Sequence, residues 1–492
     1  MPNAALRPAL AAAVLTAVAA APVAAQAPAA RPALTAHQQL ARAVYRELVE
    51  INTVDSVGST TRAAEAMARR FRAAGFPAAD VQVLVPPGKA AKGNLVVRYR
   101  GRAGATEKPL LLLAHIDVVA ARRADWPRDP FVLHEADGFF YGRGVADDKA
   151  MAAIFVANLL RYRAEGWRPA RDLILALTAD EEGGDANGVE FLLARHRGRI
   201  DAAYALNEGG GGVLQNGRPV LHSIQAAEKV PINLTLATAN PGGHSSVPRP
   251  DNAIYALAEA LGRVARYQFP VALNPVTRAY FARTADVEPR ADMAAAMRAL
   301  TAADARGDSA GVDAAAAQLS RDPRYASMLR TSCVATRLAG GHAYNALPQT
   351  ATANVNCRVV PTSTAAEVTA TLLRVAADTG VRITPTVPDD RERFGAAPSA
   401  VEPALLAAVT DLTRSTWGAG VPVIPTMSTG ATDGRFLRAA GIPTYGVSGI
   451  FSEPGETNAH GRDEKLRVRS FYEGLEFLDR LVRRLAGGAA AM

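Results

Sequence analysis

The spacing of apolar residues predicts helices at the start of the chain. Leu40, Val44, Leu48 and Ile51 recur at the three- and four-residue intervals of one helix face. A second helix is expected over about 61–74, because Gly75 follows it. A third is expected in DKAMAAIFVANLLRYRAEG, which ends at Gly166.

Between these helices lie runs that are apolar at almost every position. GNLVVRY, KPLLLLAHID and RDLILALTADEE lose this character only at their carboxyl ends. Continuous apolar runs are typical of strands covered on both faces. The pattern therefore predicts an α/β fold with a mixed, mostly parallel central sheet flanked by helices.

After Glu228 the pattern changes to that of a half-exposed sheet. VPINLTLATA alternates, a helix follows, two strands contain Cys333 and Cys357, and a helix and the strand VRITPTV complete the set. This order predicts an inserted two-layer α+β unit over 229–388. The main domain then comprises 33–228 and 389–492. Within the insert, about 269–330 is an Ala-, Arg- and Asp-rich elaboration expected to be helical.

The first residues have the pattern of a secretory signal. Arg7 precedes an alanine-rich apolar stretch, and Pro22 and small residues precede the expected cleavage site near Ala25. The apolar run is shorter than the ~20 residues of a membrane-spanning helix. We therefore expect a signal peptide at 1–25 and a secreted or periplasmic mature protein with no stable membrane insertion.

Charge and cysteine content exclude one class of partner and leave one question open. The net charge of +8 is spread over 492 residues without a basic run containing aromatics, so nucleic acid is not an expected partner. Cys333 and Cys357 lie in neighbouring predicted strands. An oxidising compartment would permit a disulfide, but two buried thiols fit the sequence equally well.

Candidate chemistry lies where apolar runs end. Ligands of open α/β sheets gather beyond the carboxyl ends of strands. Glycine-rich loops there carry nitrogen and oxygen donors of the type that zinc prefers. The motifs are AHID, GRGVADDKA, ADEEGG, NEGGGG and NAHGRDE, which supply His115, Asp117, Asp147, Glu181, Glu182, Glu208 and His460. Each motif alone is weak evidence, and their joint occurrence indicates a metal site.

As an ordered set, these motifs resemble the di-zinc exopeptidases and amidohydrolases, the family of glutamate carboxypeptidase, carboxypeptidase S, succinyl-diaminopimelate desuccinylase and aminoacylase. The resemblance implies two Zn²⁺ per subunit, with Co²⁺ or Mn²⁺ as substitutes. It assigns His115, Asp147 and Glu208 to one ion and His460, Asp147 and Glu182 to the other. It also implies that the Asp147–Asp148 peptide is cis and that Asp117 orients His115.

The same resemblance implies roles for other residues. Glu181 would be the general base for a metal-bound water. His244, in PGGHSS of the lid, would stabilise the oxyanion, often from the partner subunit. Substrate contacts would come from Asn345, Arg358, Gly430, Thr432 and Arg435.

Together these features predict a secreted, zinc-dependent metallopeptidase of carboxypeptidase type that cleaves an amide bond next to a free carboxylate in short peptides. An N-acyl-amino-acid amidohydrolase uses the same machinery and is the first alternative. A catalytically silent binding protein and an aminopeptidase are further alternatives. The resemblance also implies a homodimer formed through the inserted unit, which serves as lid and dimerisation domain.

Overall fold

A computed structural model of the chain describes residues 33–377, 380–386 and 396–487. The predicted signal peptide at 1–25 and the predicted domain boundary at 388 lie outside these residues. Among the described helices, none combines the length and the apolar character that crossing a membrane requires.

The helices follow in chain order. They are α1 (Ala36–Glu50), α2 (Thr60–Ala73), α3 (Lys149–Glu165), α4 (Gly188–Ile200), α5 (Ala253–Arg266), α6 (Pro275–Thr284), α7 (Ala291–Ala305), α8 (Ser309–Leu319), α9 (Pro323–Leu329), α10 (Ala365–Ala376), α11 (Pro403–Trp417), α12 (Gly434–Ala439) and α13 (Val468–Ala486).

The strands are numbered in the same way. They are β1 (Val81–Leu84), β2 (Asn94–Tyr99), β3 (Leu110–His115), β4 (His134–Ala136), β5 (Phe139–Tyr141), β6 (Leu173–Thr178), β7 (Tyr204–Asn207), β8 (Gly212–Gln215), β9 (Arg218–Glu228), β10 (Val230–Ala239), β11 (Gly243–His244), β12 (Ser332–Gly340), β13 (Ala346–Leu347), β14 (Thr350–Val359), β15 (Arg382–Pro385), β16 (Val423–Ser428), β17 (Thr444–Gly446), β18 (Phe451–Ser452) and β19 (Lys465–Arg467).

The large sheet has the strand order β1-β2-β6-β3-β7-β17-β9-β8-β18, with β16 paired to β9. Its central pairs β6–β3, β3–β7 and β7–β17 are parallel, as are β9–β16 and β8–β18. The pairs β1–β2, β2–β6, β17–β9 and β8–β9 are antiparallel. The predicted α/β class with a mixed sheet is confirmed.

Helices cover both faces of this sheet. Every residue of β3 and β6 is buried, which explains why their sequences do not alternate. The core on one face contains residues of α1, α2, α3, α11 and α13. The core on the other face contains Val189 and Leu192 of α4 and Leu437 of α12, and the partly buried Phe436 of α12 packs against it.

The small sheet has the order β12-β14-β10-β15 and is antiparallel throughout. Alternate residues of β10 and β14 pack against α5 and α10, which makes the predicted two-layer α+β unit. β9 ends at Glu228 in the large sheet, and β10 begins at Val230 in the small one. Cys333 and Cys357 lie opposite each other and form a disulfide, which decides the question that the sequence left open.

The elaboration forms α6–α9 and packs on the large sheet. Phe281 of α6 and Met297 of α7 belong to the same core as α11 and α13. Asn274 caps α6 and donates from Nδ2 to Met427 Sδ at 3.4 Å, and Arg283 Nη1 donates to Val423 O at 3.0 Å. These contacts attach the elaboration to β16.

Candidate metal centre

Three adjacent parallel strands bring the candidate ligands together. β3 ends in His115, β6 leads into the turn that carries Glu182, and β7 is followed directly by Glu208. Asp147 lies just before α3, and His460 lies in the loop before β19. The carboxyl ends of parallel strands meet at one edge of a sheet, so distant motifs converge there.

Asp147 lies between the two histidines. Its Oδ1 is 2.9 Å from His115 Nε2, and its Oδ2 is 3.1 Å from His460 Nε2. On the outer sides, Glu208 Oε1 is 3.9 Å from His115 Nε2, and Glu182 Oε2 is 2.9 Å from His460 Nε2. The structure therefore brings all five predicted ligands into one cluster.

The donor atoms suit a divalent cation. Ligand atoms of His115, Asp147 and Glu182 lie within 4.8 Å of one another, and so do those of His115, Asp148 and Glu208. Asp148 was not among the predicted ligands. It is buried, its Oδ2 has no hydrogen-bond partner among the described residues, and its peptide bond to Asp147 is cis. Imidazole and carboxylate donors this close together are a set that zinc accepts. The division of ligands between two ions stays a prediction.

The charges of the cluster compensate one another in pairs. Burial alone would lower the pKa of His115, but hydrogen bonds with Asp117 and Asp147 raise it well above its usual value. Hydrogen bonds with Asp147 and Glu182 raise the pKa of His460 to about 10. Burial acts against ionisation of Asp147, yet the two histidines hold its pKa below its usual value. A dication would replace the imidazole protons as the positive charge that these carboxylates require.

Glu181 lies beside the cluster and differs from the ligands in its surroundings. Burial raises the pKa of Glu181 well above its usual value, and the carboxyls of Asp433 and Glu182 raise it further. Asp433 is buried, accepts hydrogen bonds from Thr178 Oγ1 at 2.9 Å and Asn187 Nδ2 at 2.7 Å, and has a pKa raised to about 6 by burial. These surroundings favour the protonated form of Glu181 more than water does.

Two neighbouring acids hold the turn in place. The carboxylate of Asp117 accepts from the backbone N–H groups of Glu181 at 3.1 Å and Glu182 at 3.0 Å, and its backbone oxygen lies 3.1 Å from His115 Nδ1. Nδ1 can therefore keep its proton, which leaves Nε2 for a cation. Asp180 is paired with Lys92 Nζ at 2.6 Å. Asp180, which directly precedes Glu181 and Glu182, is thus neutralised by a lysine and does not belong to the candidate metal groups.

A buried ion pair joins the loops of Asp147 and His460. Glu464 Oε1 accepts from the N–H groups of Ala146 at 2.8 Å and Asp147 at 3.1 Å, and Oε2 accepts from Arg143 Nη1 at 2.7 Å. Arg143 Nη2 donates to His460 O at 3.3 Å. Sequence reasoning missed this pair, although GRGVADDKA and NAHGRDE contain both residues.

The predicted residues of the inserted unit lie in two places. His244 and Asn345 meet at the β11–β13 pair, where Ser245 N donates to Asn345 O at 3.0 Å. His244 is exposed and contacts Ser246 Oγ at 2.7 Å. Arg358 lies on β14 near Lys229, whose pKa is lowered to about 8 by burial and by the Arg358 charge. The five predicted ligands, His115, Asp147, Glu182, Glu208 and His460, are called the metal cluster below. Within the described ranges, no hydrogen bond or ion pair connects His244 to the metal cluster of the same chain.

The loop between β16 and α12 contains the other three predicted substrate contacts. Gly430 N donates to Ser428 Oγ at 3.1 Å. Thr432 is buried and donates to Glu228 Oε2 from N at 2.7 Å and from Oγ1 at 2.8 Å. Arg435 stacks on the Phe436 ring at 4.3 Å. Thr432 is thus engaged in holding the loop, and the substrate roles of all three stay predictions.

Comparison with known proteins agrees with this arrangement. The chain is 28% identical over 399 residues to the human N-fatty-acyl-amino acid synthase/hydrolase PM20D1, covering 76% of this chain and 74% of that protein. Its fold matches the M20 family metallo-carboxypeptidase Sso-CP2 from Sulfolobus solfataricus with a TM-score of 0.67 at 16% identity, over 90% and 98% of the two chains.

A second solved structure is the YXEP protein of Bacillus subtilis, described as a dinuclear metal binding peptidase from the M20 family. It matches with a TM-score of 0.56 at 12% identity, over 92% of this chain and 99% of that one. The model of peptidase family M20/M25/M40 matches residues 111–484, which include every residue of the cluster. The predicted resemblance is therefore confirmed, and the chain belongs to peptidase family M20/M25/M40.

Proposed function

We propose that the protein hydrolyses the amide bond next to a free carboxylate in N-acyl amino acids and short peptides, with two divalent cations, Zn²⁺ first among them. The observation that carries the proposal is the position of Asp147 between His115 and His460, with Glu182 and Glu208 at the two ends. A shared carboxylate between two imidazoles suits a pair of cations better than a single ion.

The five residues of this cluster would hold the cations. When bound, two divalent cations polarise the scissile carbonyl and lower the pKa of the attacking water. Asp117 keeps Nδ1 of His115 protonated and fixes the turn of Glu181 and Glu182 through two backbone hydrogen bonds.

Glu181 then serves as the proton carrier. Its raised pKa lets it take a proton from the attacking water and hold it until the leaving amine accepts it. Asp433 supports this role, because a second buried carboxyl nearby disfavours the ionised form of Glu181. Hydrolysis by this direct attack of water would need no covalent acyl-enzyme intermediate.

The carboxylate of the substrate has a candidate partner in the inserted unit. Burial and the neighbouring charge of Arg358 lower the pKa of Lys229 to about 8, and a substrate carboxylate between the two cations would compensate their charges. Arginine also suits a carboxylate in geometry. His244, Asn345 and the loop of Gly430 complete the proposed substrate contacts.

We extend the proposal to the setting of the protein. The disulfide between Cys333 and Cys357 supports secretion or residence in the periplasm, because such bonds persist in oxidising compartments. The exposed position of His244 supports a homodimer, in which that residue would reach the cluster of the partner subunit. Gel filtration and fractionation of the host cell test these two points.

The central experiment measures hydrolysis of N-acetyl amino acids and dipeptides before and after chelation, and again with the substrate carboxylates amidated. We expect activity only with metal and with the free carboxylate. Glu181→Gln should lower kcat by roughly 10²–10⁴-fold while metal content and Tm stay unchanged. Glu190→Gln, an exposed acid in the first turn of α4, is the matched control.

Two results would overturn the proposal. Full turnover by Glu181→Gln would remove the proton carrier, and full turnover after complete chelation would remove the metal. Metal binding without hydrolysis of any of these substrates would favour the binding-protein alternative.

A further inference from the structure

A cavity of about 360 Å³ is lined by Gly209, the residue that directly follows the predicted ligand Glu208. Ser428 and Thr429, at the point where β16 leads into the loop of Gly430 and Thr432, line the same cavity. Gly209 has a φ of +96°, and a Cβ there would collide with the buried Gln225 side chain. The backbone thus approaches Gln225 closely at this point, and glycine is required there.

The walls of the cavity are mainly apolar. Strands β8, β9 and β16 form one wall, and α6 and α9 form the other. The side chains include Val213, Leu221, Ile424 and Met427 from the strands and Tyr280 and Met328 from the helices. The volume lies near the lower end of the ~300–1,000 Å³ that is usual for small-molecule sites.

The helical elaboration creates the outer wall. α6 is fixed to β16 by the contacts of Asn274 with Met427 and of Arg283 with Val423. α9 is anchored by Leu329, which is buried in the core that also contains residues of α11 and α13. Without α6 and α9, the apolar residues of β8, β9 and β16 at this point would face solvent. This gives the Ala-rich segment a role at the site.

The charge distribution points to an uncharged occupant. Of the residues that line the cavity, Arg324 carries a charge, and its guanidinium is 3.3 Å from Asp322 Oδ2 with 70% of its side chain exposed. Its charge is therefore compensated and lies at the outside. Two methionines, Met328 and Met427, add adaptable side chains that pack against flexible chains.

We propose that this cavity, the acyl pocket, binds the apolar acyl chain of an N-acyl amino acid whose amide lies at the metal cluster. The proposal rests on the proposed function, since it assigns the carboxylate end to Arg358 and the acyl end to the acyl pocket. It predicts a preference for medium or long apolar acyl groups over acetyl groups and over the charged amino ends of peptides.

The test uses the metal-loaded protein and a series of N-acyl amino acids from acetyl to octanoyl with one amino acid held constant. Each methylene buried in the acyl pocket should raise kcat/KM by about fourfold until the pocket is full. Ser327→Phe, on the wall formed by α9, should shorten the preferred chain, so that the ratio of kcat/KM for octanoyl over acetyl substrates falls at least tenfold.

Ala326→Phe is the matched control on the same helix. Ser327 and Ala326 both border the neighbouring cavity at Cys333, but Ser327 alone also borders the acyl pocket. Ala326→Phe should therefore leave the chain-length preference unchanged. Thr426→Phe fills the pocket from β16 and replaces Ser327→Phe if that variant does not fold, as judged by its Tm.

The outcomes separate the two proposals. If N-acetyl substrates are hydrolysed but longer chains give no advantage, or if Ser327→Phe and Thr426→Phe leave the preference unchanged, the acyl pocket is wrong and the proposed function stands. If no member of the series and no dipeptide is hydrolysed, the proposed function itself fails. An equal effect of Ala326→Phe would also contradict the pocket, because the effect would then not depend on filling it.

Discussion

The two histidines of the metal cluster are held in different ways. His115 is the last residue of the buried strand β3, and its side chain is 1% exposed. His460 lies in the loop between β18 and β19, has a φ of +62°, and its side chain is 55% exposed. The sheet itself positions the first histidine. The second depends on the buried Arg143–Glu464 pair, so one half of the site is built by the core and the other by a long-range link.

The largest effect on activity is expected from a substitution of Asp147, the residue that faces the histidines of both halves. Asp147→Asn removes the charge that faces both histidines. The loss of kcat/KM should exceed the ~100-fold that is typical for partners outside the ligand set. If two ions are bound as proposed, metal analysis of the purified variant should show depletion of both. Asp185→Asn, an exposed acid paired with Lys89, is the control, and a normal metal content in Asp147→Asn would contradict the shared role.

The next comparison separates metal binding from stability. Both His115→Ala and His460→Ala should lose activity and metal. In the metal-free protein, His115→Ala should lower the free energy of unfolding by about 1–3 kcal/mol, because it leaves buried polar partners unpaired. The exposed His460 should contribute less, so His460→Ala should lower it by less than ~1 kcal/mol. Urea titration after chelation measures this difference. Equal destabilisation by the two variants would mean that the halves are built alike.

The link between the loops gives a smaller effect on metal affinity. Glu464→Gln removes the negative charge that pairs with Arg143 and replaces one of the two acceptor oxygens with an N–H donor, so either Arg143 or the backbone around Asp147 loses its acceptor. Affinity for the ion at the His460 half should fall by roughly 10–100-fold, and added metal should restore activity.

Glu456→Gln is a suitable control for this variant. Glu456 lies in the loop that carries His460 and forms a partly buried pair with Arg467, but among the described hydrogen bonds it makes none to His460 or to the residues around Asp147. If both variants weaken metal binding equally, the Arg143–Glu464 link has no special part in the site.

The sequence predicted the two halves unequally, for a physical reason. The His115 half follows from local patterns, because an apolar run that ends in His115 or in Glu181 and Glu182 marks a strand end. Asp147 and His460 were found through the ordered motifs. The Arg143–Glu464 pair depends on a contact between residues more than 300 positions apart, and no local pattern encodes it.

The same limit applies to other parts of the fold. Helices in the Ala-rich elaboration could be predicted from composition, but their attachment to β16 could not, since many apolar faces would accept such helices. The disulfide depended on the register of β12 against β14, which alternation alone does not fix. Asp433 was overlooked between the predicted substrate contacts Thr432 and Arg435, because a lone acid in a glycine-rich loop resembles a solvated turn.

The smallest predicted effect concerns pH and the exposed half. In the metal-free protein, Asp147 and Glu182 raise the pKa of His460 to about 10, above its unfolded value near 6.5. The resulting stabilisation is fully present below pH 6.5 and is lost as the pH rises through about 10. Because the side chain is more than half exposed, the contribution should stay below ~1 kcal/mol. The Tm difference between metal-free wild type and His460→Ala should therefore shrink towards pH 10, and a difference that is constant over this range would contradict the ion pairing assigned to His460.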